Sequence, residues 1–379
     1  MVGVETVPEN LIFREKKSVM KIYNFAAGPA MLPVEVMQKA QSEFLDFAGS
    51  GSGVMELSHR GKFFKPVLEK AKANVKELFN LSDDYEVLFI QGGASMQFAM
   101  IPMNLLNGAT ADYVDTGVWS AKAAKEAAMF GTANIAASSK ADKYSYIPAV
   151  ADWKLTPGAA YMHITSNNTV AGSQYQVLPT APAGVPLIAD MSSDIMSRKF
   201  DASKFDMIYA GAQKNLGPSG VALVVMKKAL AERTDNAKVP TMLRYSTYIE
   251  NDSMFNTPPT FAIYILGLVT DWIKAQGGIG AVEKVNNAKA AKLYSFLDES
   301  TFFTAPVAAA DRSRMNVVFR TPSEELDAKF VAEAKECGLT ELKGHRLVGG
   351  CRASIYNAMP MEGVEALVEF MKKFELANR

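Results

Sequence analysis

Short, nearly continuous apolar runs recur along the chain between glycines and charged residues. Tyr85-Glu-Val-Leu-Phe-Ile90 and Val221-Ala-Leu-Val-Val-Met226 are the clearest, and their length and branched content predict strands buried on both faces. Similar runs predict strands at 111–115, 132–137, 160–164, 186–190 and 207–209. Between them, apolar positions recur every three or four residues. That spacing predicts helices over 33–47, 64–79, up to about 106, 119–130 and 261–272. Strands alternating with helices predict an α/β fold with a large, mostly parallel sheet of the seven-stranded type.

Gly277-Gly-Ile-Gly280 interrupts this rhythm. Beyond it a long helix, 281–299, and strands near 315–319 and 352–355 predict a smaller α+β unit. The expected organisation is an unassigned N-terminal extension (1–19), a large α/β domain (20–276) whose first residues could join the small one, and a small C-terminal domain (277–379). The extension mixes charged residues with short apolar pieces and contains no signal-peptide core, and Met20 offers an alternative start.

One stretch stands out: Phe205-Asp-Met-Ile-Tyr-Ala-Gly-Ala-Gln-Lys-Asn-Leu-Gly-Pro-Ser-Gly220. Lys214 lies on the connection between two predicted core strands. A lysine so placed loses hydration, its pKa falls, and the free amine becomes a nucleophile towards carbonyls. A loop lysine that merely caps a strand is the alternative.

Composition narrows the choices. The 379 residues carry 40 basic and 40 acidic side chains, a formal charge of zero, which argues against a general nucleic-acid or membrane-surface binder. Two cysteines, Cys337 and Cys351, and three histidines, His59, His163 and His345, are too few and too scattered for a disulfide scaffold or a metalloenzyme, so no metal is expected. The thiols suit a reducing, cytoplasmic setting.

Further chemistry clusters at predicted strand ends. Gln91-Gly-Gly-Ala-Ser95 sits where a strand becomes a helix, so its amides and hydroxyl could hold a phosphate, or form a plain turn. Asp190 ends the run Val185-Pro-Leu-Ile-Ala189; it could face the ligand crevice or cap the next element through Ser192-Ser193. Trp119 could stack on a flat cofactor or belong to the core. A lysine and a carboxylate ending successive strands are the two protein groups that pyridoxal phosphate chemistry needs. His59-Arg60, His345-Arg346 and Arg352 add forked donors suited to a small substrate with two anionic ends, each alone being equally an ordinary surface charge.

With these motifs in place, the sequence resembles the phosphoserine aminotransferase family, fold-type I pyridoxal phosphate enzymes among the class-V aminotransferases, from about Met20 onward. Asn24-Phe-Ala-Ala-Gly-Pro-Ala-Met-Leu-Pro33, Met55-Glu-Leu-Ser-His-Arg-Gly61, Tyr209-Ala-Gly-Ala-Gln-Lys-Asn215, Ser253-Met-Phe-Asn-Thr-Pro-Pro-Thr260 and Gly344-His-Arg-Leu-Val-Gly-Gly-Cys-Arg-Ala-Ser-Ile-Tyr-Asn357 carry the likeness. The resemblance implies that Lys214 binds the cofactor covalently, Asp190 pairs with its ring nitrogen, Trp119 stacks on the ring and Thr169 meets its phenolic side. It implies that Ala94, Ser95 and Gln213 hold the cofactor phosphate, joined by Asn256 and Thr257 across a homodimer interface. His59, Arg60, His345 and Arg346 would clamp the substrate phosphate or glutamate's side-chain carboxylate, and Arg352 the α-carboxylate. The implied reaction is ping-pong transamination between glutamate and 3-phosphohydroxypyruvate in serine biosynthesis. Activity on 4-phosphohydroxy-L-threonine in pyridoxine biosynthesis stays open. Two departures from some members are Ala27, where others have serine, and Ser95, where others have arginine.

A cysteine desulfurase would need a mobile nucleophilic cysteine, whereas Cys351 sits in a strand-like run. A NAD-dependent oxidoreductase would need a dinucleotide fingerprint that is absent.

Overall fold

The computed structural model describes residues 21–234 and 238–379; the expectations for 1–19 and Met20 lie outside them. Eleven strands are present among these residues: β1 (Tyr23–Asn24), β2 (Tyr85–Gln91), β3 (Thr110–Asp115), β4 (Thr132–Ser138), β5 (Met162–Thr165), β6 (Leu187–Asp190), β7 (Met207–Gly211), β8 (Val221–Lys227), β9 (Asn316–Phe319), β10 (Leu339–Thr340) and β11 (Cys351–Ser354). Seven form one sheet in the order β2-β8-β7-β6-β5-β3-β4. All run parallel except β8, which pairs antiparallel with both neighbours.

Each predicted strand of the large sheet is present; all but the edge strand β4, which is largely exposed, are buried between covering layers. Along β2, Val87 and Phe89 point into one apolar layer and Leu88 and Ile90 into the other; Leu223 and Val225 oppose Val224 and Met226 in the same way on β8. The helices Phe64–Phe79 and Thr260–Ala275 pack on the first face. Ala94–Leu105 and Val118–Ala127 pack on the second. The helix expected over 33–47 stops at Ser42. After it, Glu43 instead accepts from the Val54 amide through its backbone and from the Tyr264 hydroxyl through its carboxylate, so the chain turns to follow the core.

A third apolar cluster gathers the later elements: the helices Ile279–Glu299, Glu324–Glu336 and Met361–Asn378, with the antiparallel pair β9/β11. Phe25 belongs to this cluster, and β1 pairs parallel with β10, Tyr23 opposite Leu339. The start of the described chain is thus tied to its C-terminal elements. No helix of the described residues is long and apolar enough to cross a membrane.

Candidate active site

In an open parallel sheet, ligands bind outside the C-terminal ends of the strands, where connections diverge to opposite faces. Register brings those ends level here: Thr165 lies opposite Asp190, and Asp190 opposite Tyr209. The loops after β2, β3, β5, β6 and β7 therefore emerge side by side. Asp190 ends β6 itself; the segments after the other strands carry Ala94 and Ser95, Trp119, Thr169, and Gln213 with Lys214.

Lys214 is the electrostatic centre. Its Nζ donates to Thr169 Oγ1 at 2.7 Å. Burial pulls its pKa down to about 8; Asp190 acts to raise it, and Arg352 to lower it further. Near neutral pH a useful fraction of this amine is therefore free base. Gly28 packs close by: its φ is 134°, and a Cβ there would sit 3.3 Å from both Gln213 and Lys214 side chains. Ala30 N also donates to Gln213 O at 2.9 Å, so the N-terminal motif braces the lysine loop.

Asp190 is 5% exposed. Its Oδ1 accepts from Ser192 N at 2.9 Å and from Ser192 Oγ at 2.6 Å, and that hydroxyl oxygen accepts from Gly211 N at 3.1 Å. The local cap and the site-facing carboxylate, alternatives on sequence grounds, are compatible: one oxygen is fixed, while Oδ2 has no protein hydrogen bond among the described residues. Burial raises the Asp190 pKa, opposed by Lys214 and by the Ser192 bonds. Behind it, Tyr209 Oη meets His163 Nε2 at 2.9 Å, and His163 stacks on Tyr113 with centroids 4.9 Å apart. Burial drives the His163 pKa down to about 3, so the ring is neutral. Neither Ser192 nor His163 was singled out from the sequence as part of the site; Ser192 had the signal of an i+2 cap, His163 none.

Arg352, half-buried on β11, donates from Nη1 to Thr169 O at 3.3 Å, and its buried Nε has no partner. It brings the C-terminal elements to Lys214. His345 joins the group, its pKa lowered by burial and by the charges of Arg352, Arg346 and Lys122. Arg346 is exposed. Trp119 has a buried, unpartnered Nε1 and the Lys122 ammonium 4.6 Å from its ring centroid. His59, whose Nε2 is buried without a partner, and exposed Arg60 follow the short helical turn Val54–Glu56; no hydrogen bond or ion pair among the described residues links them to Lys214. Asn256 and Thr257 are exposed, and Asn256 Nδ2 donates to Gln91 Oε1 at 3.0 Å. Cys351 is fully buried and its thiol pKa is pushed up, which leaves it no nucleophilic part.

The pattern of class-V aminotransferases matches residues 22–367. Phosphoserine aminotransferase from Bacillus subtilis is 56% identical over 94% of this chain and 98% of its own. The Nitrosomonas europaea enzyme of the same name is 53% identical over 94% and 98%. This chain belongs to the phosphoserine aminotransferase family. Among solved structures, a pyridoxal phosphate-bound phosphoserine aminotransferase from Trichomonas vaginalis superposes with a TM-score of 0.89 at 38% identity, covering 93% of this chain and 100% of that one.

As a member of this family the chain uses pyridoxal phosphate, and its side chains fit that group. Lys214 offers a desolvated amine, Asp190 a free carboxylate oxygen, Trp119 a ring with an unsatisfied N–H. The helix Ala94–Leu105 presents first-turn amides, which have no acceptor within the helix and suit a phosphate. Ser95 supplies a hydroxyl without charge. Ala27 contributes only backbone, and its carbonyl is already taken by the Tyr356 hydroxyl at 2.9 Å.

Proposed function

We propose that the chain catalyses transfer of the amino group of glutamate to 3-phosphohydroxypyruvate, giving 2-oxoglutarate and O-phospho-L-serine. The observation that carries this reading is Lys214: a buried amine of lowered pKa, bonded to Thr169, with Asp190 and Arg352 within electrostatic reach. Family membership over nearly the whole chain agrees with it.

Pyridoxal phosphate, when bound, supplies the sink for electrons released as a substrate Cα–H bond breaks. Lys214 would hold it covalently; once displaced by the substrate amine, Nζ would take the Cα proton as general base and later return one. Asp190 Oδ2 would keep the ring nitrogen protonated, its direction set by Ser192. Trp119 would stack on the ring, Thr169 would meet its phenolic oxygen, and Ala94, Ser95 and Gln213 would hold its phosphate. Arg352 would take the α-carboxylate bidentately. His345 and Arg346 would take the substrate phosphate, or glutamate's distal carboxylate in the other half-reaction.

His59, Arg60, Asn256 and Thr257 fall into place in a homodimer in which a second copy completes each site. Exposed Met55, Met96 and Phe255 beside these residues support that arrangement. Exposed Cys337 suits the cytoplasm. We place the cofactor-binding unit at 20–276 and the carboxylate-binding unit at 277–379. The same clamp would accept 4-phosphohydroxy-L-threonine, which belongs in the same assay.

The test is an absorbance titration of the cofactor-loaded protein. Glutamate should remove the near-visible band of lysine-bound cofactor, and 3-phosphohydroxypyruvate should restore it. A protein that takes up no cofactor, or whose band ignores both substrates, overturns the reading.

A further inference from the structure

A cavity of about 940 Å³ opens beside the clamp, between the helix Val118–Ala127, the turn at 140–145 and the segment that follows His345-Arg346. Its lining holds five cations, Lys122, Lys125, Lys140, Lys143 and Arg320, against one carboxylate, Asp142. In a chain of zero net charge this is a strong local excess. Asp142 is engaged by the Tyr146 hydroxyl at 3.2 Å. Asp115, buried nearby, accepts from the hydroxyls of Ser120, Ser138 and Tyr144. None of the four lysines forms an ion pair with a carboxylate among the described residues.

The cavity adjoins the site. Lys122 lies over the Trp119 ring and its charge reaches His345; Leu347 and Val348, next after Arg346, form part of the wall. A cleft lined by one sign of charge focuses the field and raises the local concentration of the opposite ion, which speeds capture by factors of roughly 10 to 1,000. None of these lysines is among the groups whose charges act on Lys214, which are Asp190, Arg352 and Asp194. Their effect falls on what approaches.

We propose that this basic cavity is an approach channel that captures phosphate-bearing substrates ahead of unphosphorylated ones. The proposal rests on the amino-transfer reading above. 3-Phosphohydroxypyruvate carries up to three negative charges near neutral pH, glutamate a net one, so the channel favours the acceptor over the donor. Because the two half-reactions are separate, kcat/KM is measurable for each substrate on its own.

The test compares the wild-type holoenzyme with Lys125→Gln/Lys140→Gln/Lys143→Gln, and with the matching triple arginine variant. At low ionic strength the glutamine variant should lose about tenfold in kcat/KM for 3-phosphohydroxypyruvate and roughly threefold or less for glutamate, with kcat unchanged. Its dependence on salt should flatten, since screening and charge removal act on the same field. The arginine variant should keep wild-type values. An equal fall for both substrates, no fall, or an unchanged salt slope overturns the channel. If the wild type itself does not transaminate this pair, the functional assignment fails instead, and the two failures are told apart by that control. These lysines are exposed, and Lys125→Glu alone, which should lower kcat/KM for the phosphorylated substrate more than for glutamate, gives an independent check on the triple change.

Discussion

Lys214 Nζ and Thr169 Oγ1 lie 2.7 Å apart although 45 residues separate them in sequence. Thr169 follows β5 and Lys214 follows β7, and the parallel sheet sets both loops on one edge. The Thr169 carbonyl also accepts from Arg352, so one threonine joins the amine to the arginine of the C-terminal elements.

Lys214→Ala should lower transamination by about 10³-fold or more, because both covalent attachment and proton transfer are lost. Single-turnover kinetics with glutamate measure this, and near-unchanged thermal melting shows that the loss is chemical. Lys214→Arg, always protonated, should be as inactive.

The lysine's pKa near 8 predicts how the apoenzyme meets aldehydes. Protonated amine is inert, so labelling by pyridoxal phosphate should rise with pH through a midpoint near 8. An ordinary lysine would give a midpoint near 10.5. Mass spectrometry after borohydride reduction, followed across pH, distinguishes the two.

Arg352→Lys keeps the charge and loses the fork. Loss of a bidentate carboxylate bond should lower kcat/KM for both substrates by about 10- to 100-fold. An effect on the phosphorylated substrate alone would move Arg352 to the phosphate side.

Lys289 is fully buried and its Nζ donates to the carbonyls of Ile355, Tyr356 and Met359 at 3.0, 2.7 and 2.9 Å. Burial lowers its pKa to about 7, yet only the ammonium form has three donors. Lys289→Met strands these carbonyls and should destabilise the fold by about 2–4 kcal/mol. Urea unfolding gives the value, and kcat below the melting range should stay close to wild type.

His163 binds a proton readily when unfolded, at its ordinary 6.5, but in the fold only near 3. The unfolded state therefore takes up more protons over that interval, and stability falls as pH drops from 6.5 towards 3. This group contributes at most roughly 1.4 kcal/mol per pH unit. His163→Gln should flatten that part of the curve of unfolding free energy against pH.

Much of this protein was written locally. Most strands of the large sheet are legible because a strand covered on both faces is apolar at nearly every position, as over 187–189 and 221–226. Lys214 and Asp190 are legible because polar residues at the ends of such runs have few places to go except the sheet's edge. The short strands Tyr23–Asn24 and Leu339–Thr340 were not, since two residues carry no period and their pairing spans most of the chain.

Sequence alone therefore determined the alternating elements, the lysine and carboxylate at their ends, and the family. Tertiary structure decided what those groups touch: that Ser192 fixes one oxygen of Asp190, that Thr169 links Lys214 to Arg352, that Lys289 fills a nest of carbonyls, and that lysines from separate segments line one cavity. Periodicity records which side of an element is buried, a property of neighbours within one turn or one pleat. Contacts between distant segments depend on strand order and register, and those are set by packing of the whole chain.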